Sequence, residues 1–341
     1  MQDVFGLIFA NYTGTDFGEL LSKRTIASLP YAGRYRLVDF PLSNMVNSGI
    51  GTVGLIMPSN YRSLIDHVGS GKQWNLDKKI GGLFILPGTV YGTHGTTQKF
   101  TLSDIIVNHR YIERRSNQNY AIITSASKVC NVDYSDMIEK NITRGRAVTF
   151  AYYKADGELK PLDTFMVNRS VLVSIINGYA GYSHLDLVDL LTKELEPSEI
   201  GSYVFEDYVI NIETIEDYVK ASFCLLDPML HKKIFRGENS IYTKIQDEPP
   251  THYSDTASVK NSLISAGCII EGSIENCILF RNVHVEEGAS LKNCIVFQHG
   301  TIESGAEITN AILDKYVTAT RGVKLSGGER RPLIIEKNTV L

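Results

Sequence analysis

The chain reads as an α/β protein: a mixed, mostly parallel sheet covered by helices, followed by a left-handed parallel β-helix. Three observations predict this. Over the first two-thirds, short apolar runs alternate with amphipathic stretches, as a parallel sheet with helices on both faces requires. After Asp247-Glu248-Pro249-Pro250 that grammar stops, and aliphatic residues recur at every sixth position with Gly, Ala, Ser, Asn and Cys between them. A length of 341 residues also exceeds what one compact core usually holds. The expected organisation is a domain over 1–240, a linker over 241–256 and a second domain over 257–341.

The first strand is the apolar run Val4 to Phe9, followed by a loop over 10–22. Pro41 is placed at the start of a helix that Gly49 closes, because Pro suits the first helical turn and Gly the left-handed position after the last. Strands are expected at Thr52–Met57, Tyr120–Thr124 and Ala147–Tyr153, and helices at Tyr134–Thr143, Leu185–Leu195 and Thr214–Cys224. Beyond Thr256 the six-residue rows are Leu263/Ile269, Ile264/Ile270, Leu279/Val285/Leu291/Phe297, Val296/Ile302/Ile308 and Val317/Val323. A period of six gives each coil three short sides with one aliphatic side chain pointing inward per side, and about four coils fit the domain.

Composition excludes several classes of function. With 34 basic against 38 acidic residues and a net charge of −4, nothing points to nucleic acid or an anionic membrane as partner. The 43% hydrophobic and 21% charged residues are those of an ordinary globular protein. Five cysteines without CxxC or metal-ligand spacing argue for a reducing compartment. The N-terminal apolar run is too short to span a bilayer and Met1-Gln2-Asp3 lacks a basic start, so a cytoplasmic location is expected. His67, His94, His109, His184, His284 and His299 show neither metal nor triad spacing, and the 18 tyrosines suit packing and interfaces.

The segment from Tyr31-Ala32-Gly33-Arg34-Tyr35-Arg36 through Asp39-Phe40-Pro41-Leu42-Ser43-Asn44 to Asn47-Ser48-Gly49-Ile50 resembles the corresponding stretch of bacterial ADP-glucose pyrophosphorylases, which join glucose-1-phosphate to ATP. Ser183-His184-Leu185-Asp186-Leu187 stands at that family's "SHDF" position, and Tyr208 to Ser222 at its "YWRDVGTLEAYWKAN" segment. The resemblance covers nearly the whole chain and implies a Rossmann-like, GT-A-like nucleotidyltransferase domain before the β-helix.

Nucleotidyl transfer needs backbone N–H groups and cations around the phosphates and a carboxylate-held metal bridging the reacting oxygens. Aligned on the family, this chain lacks them. Asn11 and Tyr12 fall on the paired glycines of the "GGxGTRL" loop, Asp16 on its arginine and Ile26 on the "KPA" lysine. Ser127, followed by Lys128, replaces the aspartate of "AGDH", and Asn211 the second metal-binding aspartate. Of the "FVEKP" segment only a weak counterpart is present, Gly157 to Pro161. No catalytic residue, metal site or cofactor is therefore expected in this chain; Mg²⁺ and ATP are expected in a catalytic partner.

The pattern is most similar to the GlgD-type subunit, which is paired with a catalytic GlgC-type subunit in a heterotetramer. That implies a regulatory role in glycogen synthesis. Cations remain at Lys23, Arg24, Arg34, Arg36, Arg330 and Arg331, and the family grips a phosphorylated activator between its domains near such positions. Solvated surface cations or subunit salt bridges are the plain alternative. A diverged nucleotidyltransferase and a hexapeptide acyltransferase are the rival readings of function. Unpaired coil edges predict self-association of the isolated chain.

Overall fold

The computed structural model describes residues 3–10, 17–57, 61–88, 99–115, 117–182, 184–235 and 239–341. A seven-stranded sheet forms the first layer, in the spatial order Ile200–Phe205, Val148–Ala155, Glu158–Asn168, Tyr120–Ser125, Val4–Phe9, Thr52–Met57 and Gly82–Pro87. All neighbours pair in parallel except Glu158–Asn168, which runs antiparallel to both of its partners. The central strands Val4–Phe9 and Thr52–Met57 are buried throughout, as strands covered on both faces must be. Helices including Asp39–Asn47, Ser135–Arg144, Arg169–Tyr179, Leu187–Glu194 and Ile215–Phe223 supply the outer layers.

Helix positions follow local chemistry. The first begins at Asp39, two residues before Pro41, and Pro41 still lies in the opening turn, where a missing N–H costs nothing. Thr214 caps Ile215–Phe223: its hydroxyl accepts from Asp217 N–H while the Asp217 carboxylate accepts from the Thr214 N–H.

Ladder pairing of the coil starts at His252–Tyr253, and parallel partners then repeat around the β-helix. The interior row is Leu279, Val285, Leu291, Val296, Ile302, Ile308 and Leu313, all buried. Its steps are six, six, five, six, six and five, so one side of each coil is a residue short. The short steps contain Asn293 and Asn310, both in the left-handed region at φ 52°, where asparagine tolerates a tight corner. A turn along this row therefore takes seventeen residues, as in the pairing of Thr301 with Thr318, whereas the earlier pairings of Ser258 with Ser273 and Leu263 with Ile278 close a turn in fifteen. Two six-residue expectations fail: Phe297 leaves the interior row for the outer face because the step from Leu291 to Val296 is short, and Ile269, 43% exposed, belongs to the row beside the inward pair Ile264 and Ile270. Asn261, Asn276, Asn293 and Asn310 stack as an amide ladder, each Nδ2 donating to the next Oδ1 at 2.6, 3.3 and 2.9 Å. All five cysteines are free thiols, and Cys268, Cys277 and Cys294 line the coil interior.

The two halves share a core. Phe280, Phe297, Ile295 and Ile312 on the outer face of the β-helix pack with Ile26, Leu29, Tyr31, Phe40, Ile212 and Tyr218. Pro30–Tyr31 and Tyr35–Arg36 pair as a small hairpin whose loop includes Ala32 and Gly33, both at positive φ. Gly33, at φ +76°, faces the coil so closely that a Cβ would lie 2.4 Å from Ser265 Oγ. Tyr31 Oη donates to Ala221 O at 2.8 Å and Tyr218 Oη to Pro30 O at 2.6 Å, which ties this hairpin to the Ile215–Phe223 helix. Among the described residues no helix is long and apolar enough to cross a membrane.

Candidate functional site

Two charged regions flank this shared core. The first is a cleft beside the strand ends of the sheet. The strand Tyr120–Ser125 runs into Ser127 and Lys128, and Lys128–Cys130 pairs antiparallel with Val209–Asn211, which sets Lys128 opposite Asn211. Ser125 and Ser127 share a hydroxyl hydrogen bond of 2.9 Å, and Ser127 O accepts from Ile212 N–H. Lys128 Nζ donates to Asn211 Oδ1 at 2.6 Å and lies 3.1 Å from Asp163 Oδ2. Lys99 Nζ donates to the same Asp163 oxygen at 2.7 Å and also pairs with Glu213. Two ammonium groups thus stand against two carboxylates, and the local charge sums to zero.

Electrostatics follow from burial and pairing. Burial lowers the Lys128 pKa, opposed by Asp163. Lys99 is raised: burial works against its charge, but Asp163 and Glu213 outweigh it. Glu213 is lowered in turn, since its burial is outweighed by the Lys99 ammonium. Next to this cluster opens a cavity of about 820 Å³ whose wall includes Tyr153, Lys160, Glu206, Asp207, Asn211 and Lys220. Here too opposite charges are paired, Lys154 with Glu206 at 2.9 Å and Lys160 with Asp156 at 3.0 Å.

The cluster does not fit a divalent ion such as magnesium. A hard cation takes six or more oxygen ligands and draws its affinity from carboxylate charge. At this spot Ser127 is neutral, Asn211 is engaged by Lys128, and Asp163 and Glu213 are each held by an ammonium group. Among the described residues no three His, Cys, Asp or Glu side chains converge as metal ligands do. Asn11, Tyr12 and Asp16 lie outside the described residues, as do His94 and Ser183. Ile26 is fully buried in the core shared by the two halves rather than facing the cleft.

The second region is a cavity of about 520 Å³ at the junction of the sheet domain and the β-helix. Among the described residues nine Lys or Arg side chains line it against a single carboxylate, Asp66, so its sign is strongly positive. Lys23, Arg24, Arg34 and Arg36 all reach it. Arg330 and Arg331 do not: they are exposed on the loop beyond Lys324–Ser326, where Gly328 N–H turns back onto Arg331 O, away from the cavity. Five further cations, Arg62, Lys244, Arg281, Lys315 and Lys337, were not singled out by the sequence because they come from separate elements that only folding brings together.

These cations are held in place. Arg24 Nη2 lies 2.5 Å from Asp314 Oδ2, with both side chains buried, and its guanidinium lies 5.9 Å from the Phe297 ring centroid. Its other terminal nitrogen, Nη1, is buried with no hydrogen-bond partner among the described residues. Arg36 donates to Ser63 Oγ at 2.7 Å and to Ser63 O, while its N–H donates to the buried Asp39. Asp39 also bonds His67 at 2.6 Å. Burial brings Arg36 down to about 10, still cationic at neutral pH. Lys315 falls to about 7, chiefly by burial and then by the neighbouring Arg36 and Arg24 charges. A polyanion such as a phosphate ester entering here meets preformed donors and relieves cation–cation repulsion.

Comparison with known proteins agrees with both halves. Residues 6–160 match the nucleotidyl transferase family, and residues 249–330 match the GlmU-like C-terminal hexapeptide family. The chain is 40% identical to the glycogen biosynthesis protein GlgD of Geobacillus stearothermophilus, over 94% of this chain and 92% of that one. It is 36% identical to the GlgD of Bacillus subtilis (strain 168), over 79% and 77% of the two chains. A glucose-1-phosphate adenylyltransferase of Halalkalibacterium halodurans is 29% identical, over 85% of this chain and 84% of its own. Its sheet, its hexapeptide coil and these nearly full-length matches place the chain in the glucose-1-phosphate adenylyltransferase (ADP-glucose pyrophosphorylase) family, together with the GlgD proteins.

Proposed function

We propose that this protein is a non-catalytic, regulatory subunit of ADP-glucose pyrophosphorylase in glycogen biosynthesis, and that it modulates a catalytic GlgC-type partner within a heterotetramer. The GlgD relatives, named as glycogen biosynthesis proteins, support the pathway. One observation carries the regulatory reading: charge is neutralised within the chain at the cleft but left unbalanced at the domain junction. Phosphoryl and nucleotidyl transfer run on cations facing the phosphates and a metal held by carboxylates. Here the carboxylates are spent on lysines. The junction cavity, by contrast, offers Arg24, Arg36 and Lys315 to an incoming anion, and we assign it to a phosphorylated effector of sugar-phosphate type.

The test measures ADP-glucose formation from ATP, glucose-1-phosphate and Mg²⁺ with this chain alone, with the catalytic subunit alone, and with both. The expected result is no turnover by the chain alone and a mixture whose rate or effector response exceeds that of the catalytic subunit. Turnover by the chain alone at the mixture's level establishes instead a diverged nucleotidyltransferase.

A further inference from the structure

We infer that the Lys128 ammonium, braced by Lys99, is a built-in cation that occupies the place a divalent metal would take in the sheet-domain cleft, and that this chain binds no such metal there. The inference rests on reading that cleft as non-catalytic and gives the reading a physical cause.

Four observations converge on it. Lys128 is a side chain of the two-stranded ladder itself, directly opposite Asn211, so its ammonium is delivered to the cleft by backbone pairing and not by a mobile loop. Its side chain is 7% exposed, and its partners Asn211 Oδ1 at 2.6 Å and Asp163 Oδ2 at 3.1 Å are the oxygen types that hard cations choose. Asp163 is held at φ +53° in a strand whose register shifts nearby, a conformation that a non-glycine residue adopts only when its surroundings fix it. That conformation accompanies a single carboxylate oxygen, Oδ2, within 3.1 Å of both ammonium groups.

The charge count then decides against a metal. A divalent ion entering between Asp163, Asn211 and Glu213 would have to displace Lys128 or sit beside two ammonium groups in a poorly solvated space, where like charges repel strongly. A tethered ammonium needs no binding step and is never diluted away. The cluster therefore keeps the strand end, the segment carrying Lys99 and the Asn211–Glu213 segment joined whatever the metal concentration outside.

Mn²⁺ titration followed by electron paramagnetic resonance, on the full chain by itself, tests this directly. The unaltered chain is expected to show no site tighter than the millimolar range. Lys99→Met/Lys128→Met exposes both carboxylates and is expected to bind Mn²⁺ at least about tenfold more tightly, since affinity follows ligand charge. Adding Asp163→Asn to that variant should abolish the gain. Where circular dichroism shows that the double variant does not fold, Lys128→Met alone serves, with a smaller gain in the same direction. Tight Mn²⁺ binding by the unaltered chain that Asp163→Asn removes overturns the inference, and so does a folded variant that binds no better than the parent. Neither outcome touches the effector assignment, which is read from the mixture's response.

Discussion

The cleft and the junction cavity are built from the same residue types and end with opposite characters. In the cleft four lysines meet carboxylates: Lys99 and Lys128 meet Asp163, Lys154 meets Glu206 and Lys160 meets Asp156. At the junction, cations from separate parts of the chain face one another, and among the described residues only Asp66 supplies a carboxylate on the wall, with Asp39 and Asp314 buried behind it. A site that completes its own charge exerts little field on an approaching ion, whereas a surplus of cations attracts anions. The difference lies in counter-charge placement.

The sharpest way to break this contrast is Asp314→Asn. It removes the partner of buried Arg24 and is expected to destabilise the chain by about 3–5 kcal/mol in chemical denaturation, because a buried charge left unpaired is costly. Bound phosphate ester should recover part of that loss, and a phosphate ester that fails to stabilise the variant more than the parent would count against the cavity as an anion site. Gly33→Ala ranks next. A Cβ 2.4 Å from Ser265 Oγ, at φ +76°, should cost about 1–3 kcal/mol by the same denaturation measurement, through separation of the hairpin from the coil.

Lys315 gives a signed pH test. Its pKa lies near about 7 in the folded chain, against an ordinary 10.5, so from pH 7 upward the unfolded chain holds the extra proton. The free protein should therefore gain stability from Lys315 as pH rises through that window. Anion affinity should move the other way, falling by up to about tenfold between pH 6 and 8 as the ammonium is lost. Calorimetry in two buffers of different ionisation enthalpy should register proton uptake on binding, and Lys315→Met should remove it. The smallest effect is expected at the cleft's rim: Lys154→Ala, which breaks an exposed pair, should change stability by less than about 0.5 kcal/mol.

Much of the architecture was legible because it depends on local pattern. The apolar runs Val4–Phe9 and Thr52–Met57 became strands over those residues, and Thr214 became a cap because its neighbour three residues on is acidic. Glu158–Asn168 was not foreseen. It opens on polar residues and contains Pro161, which normally counts against a strand, and here Pro161 lies where the register shifts between Phe150 and Tyr152. The six-residue rule found the coil but slipped on Phe297, where left-handed Asn293 shortens a side by a residue, and on Ile269, which lies beside the inward Ile270 and not in its row. Lys128 stood out as a cation beside Ser127. Its partner Asp163 did not, because nothing in the local sequence joins residues 128 and 163; antiparallel pairing across the sheet does. Arg281, Gln298, Lys315 and Lys337 stack at the same corner of successive coils, so three cations gather there without a charge repeat that the sequence alone displays.

The core that runs from Ile26 and Phe40 through Tyr218 to Phe280 and Phe297 makes the two halves inseparable. Cutting the chain before the coil would uncover large aromatic and aliphatic surfaces on both pieces, and each would be driven to aggregate. Descendants of this protein accordingly cannot discard or transplant the coil without rebuilding the interior of the sheet domain.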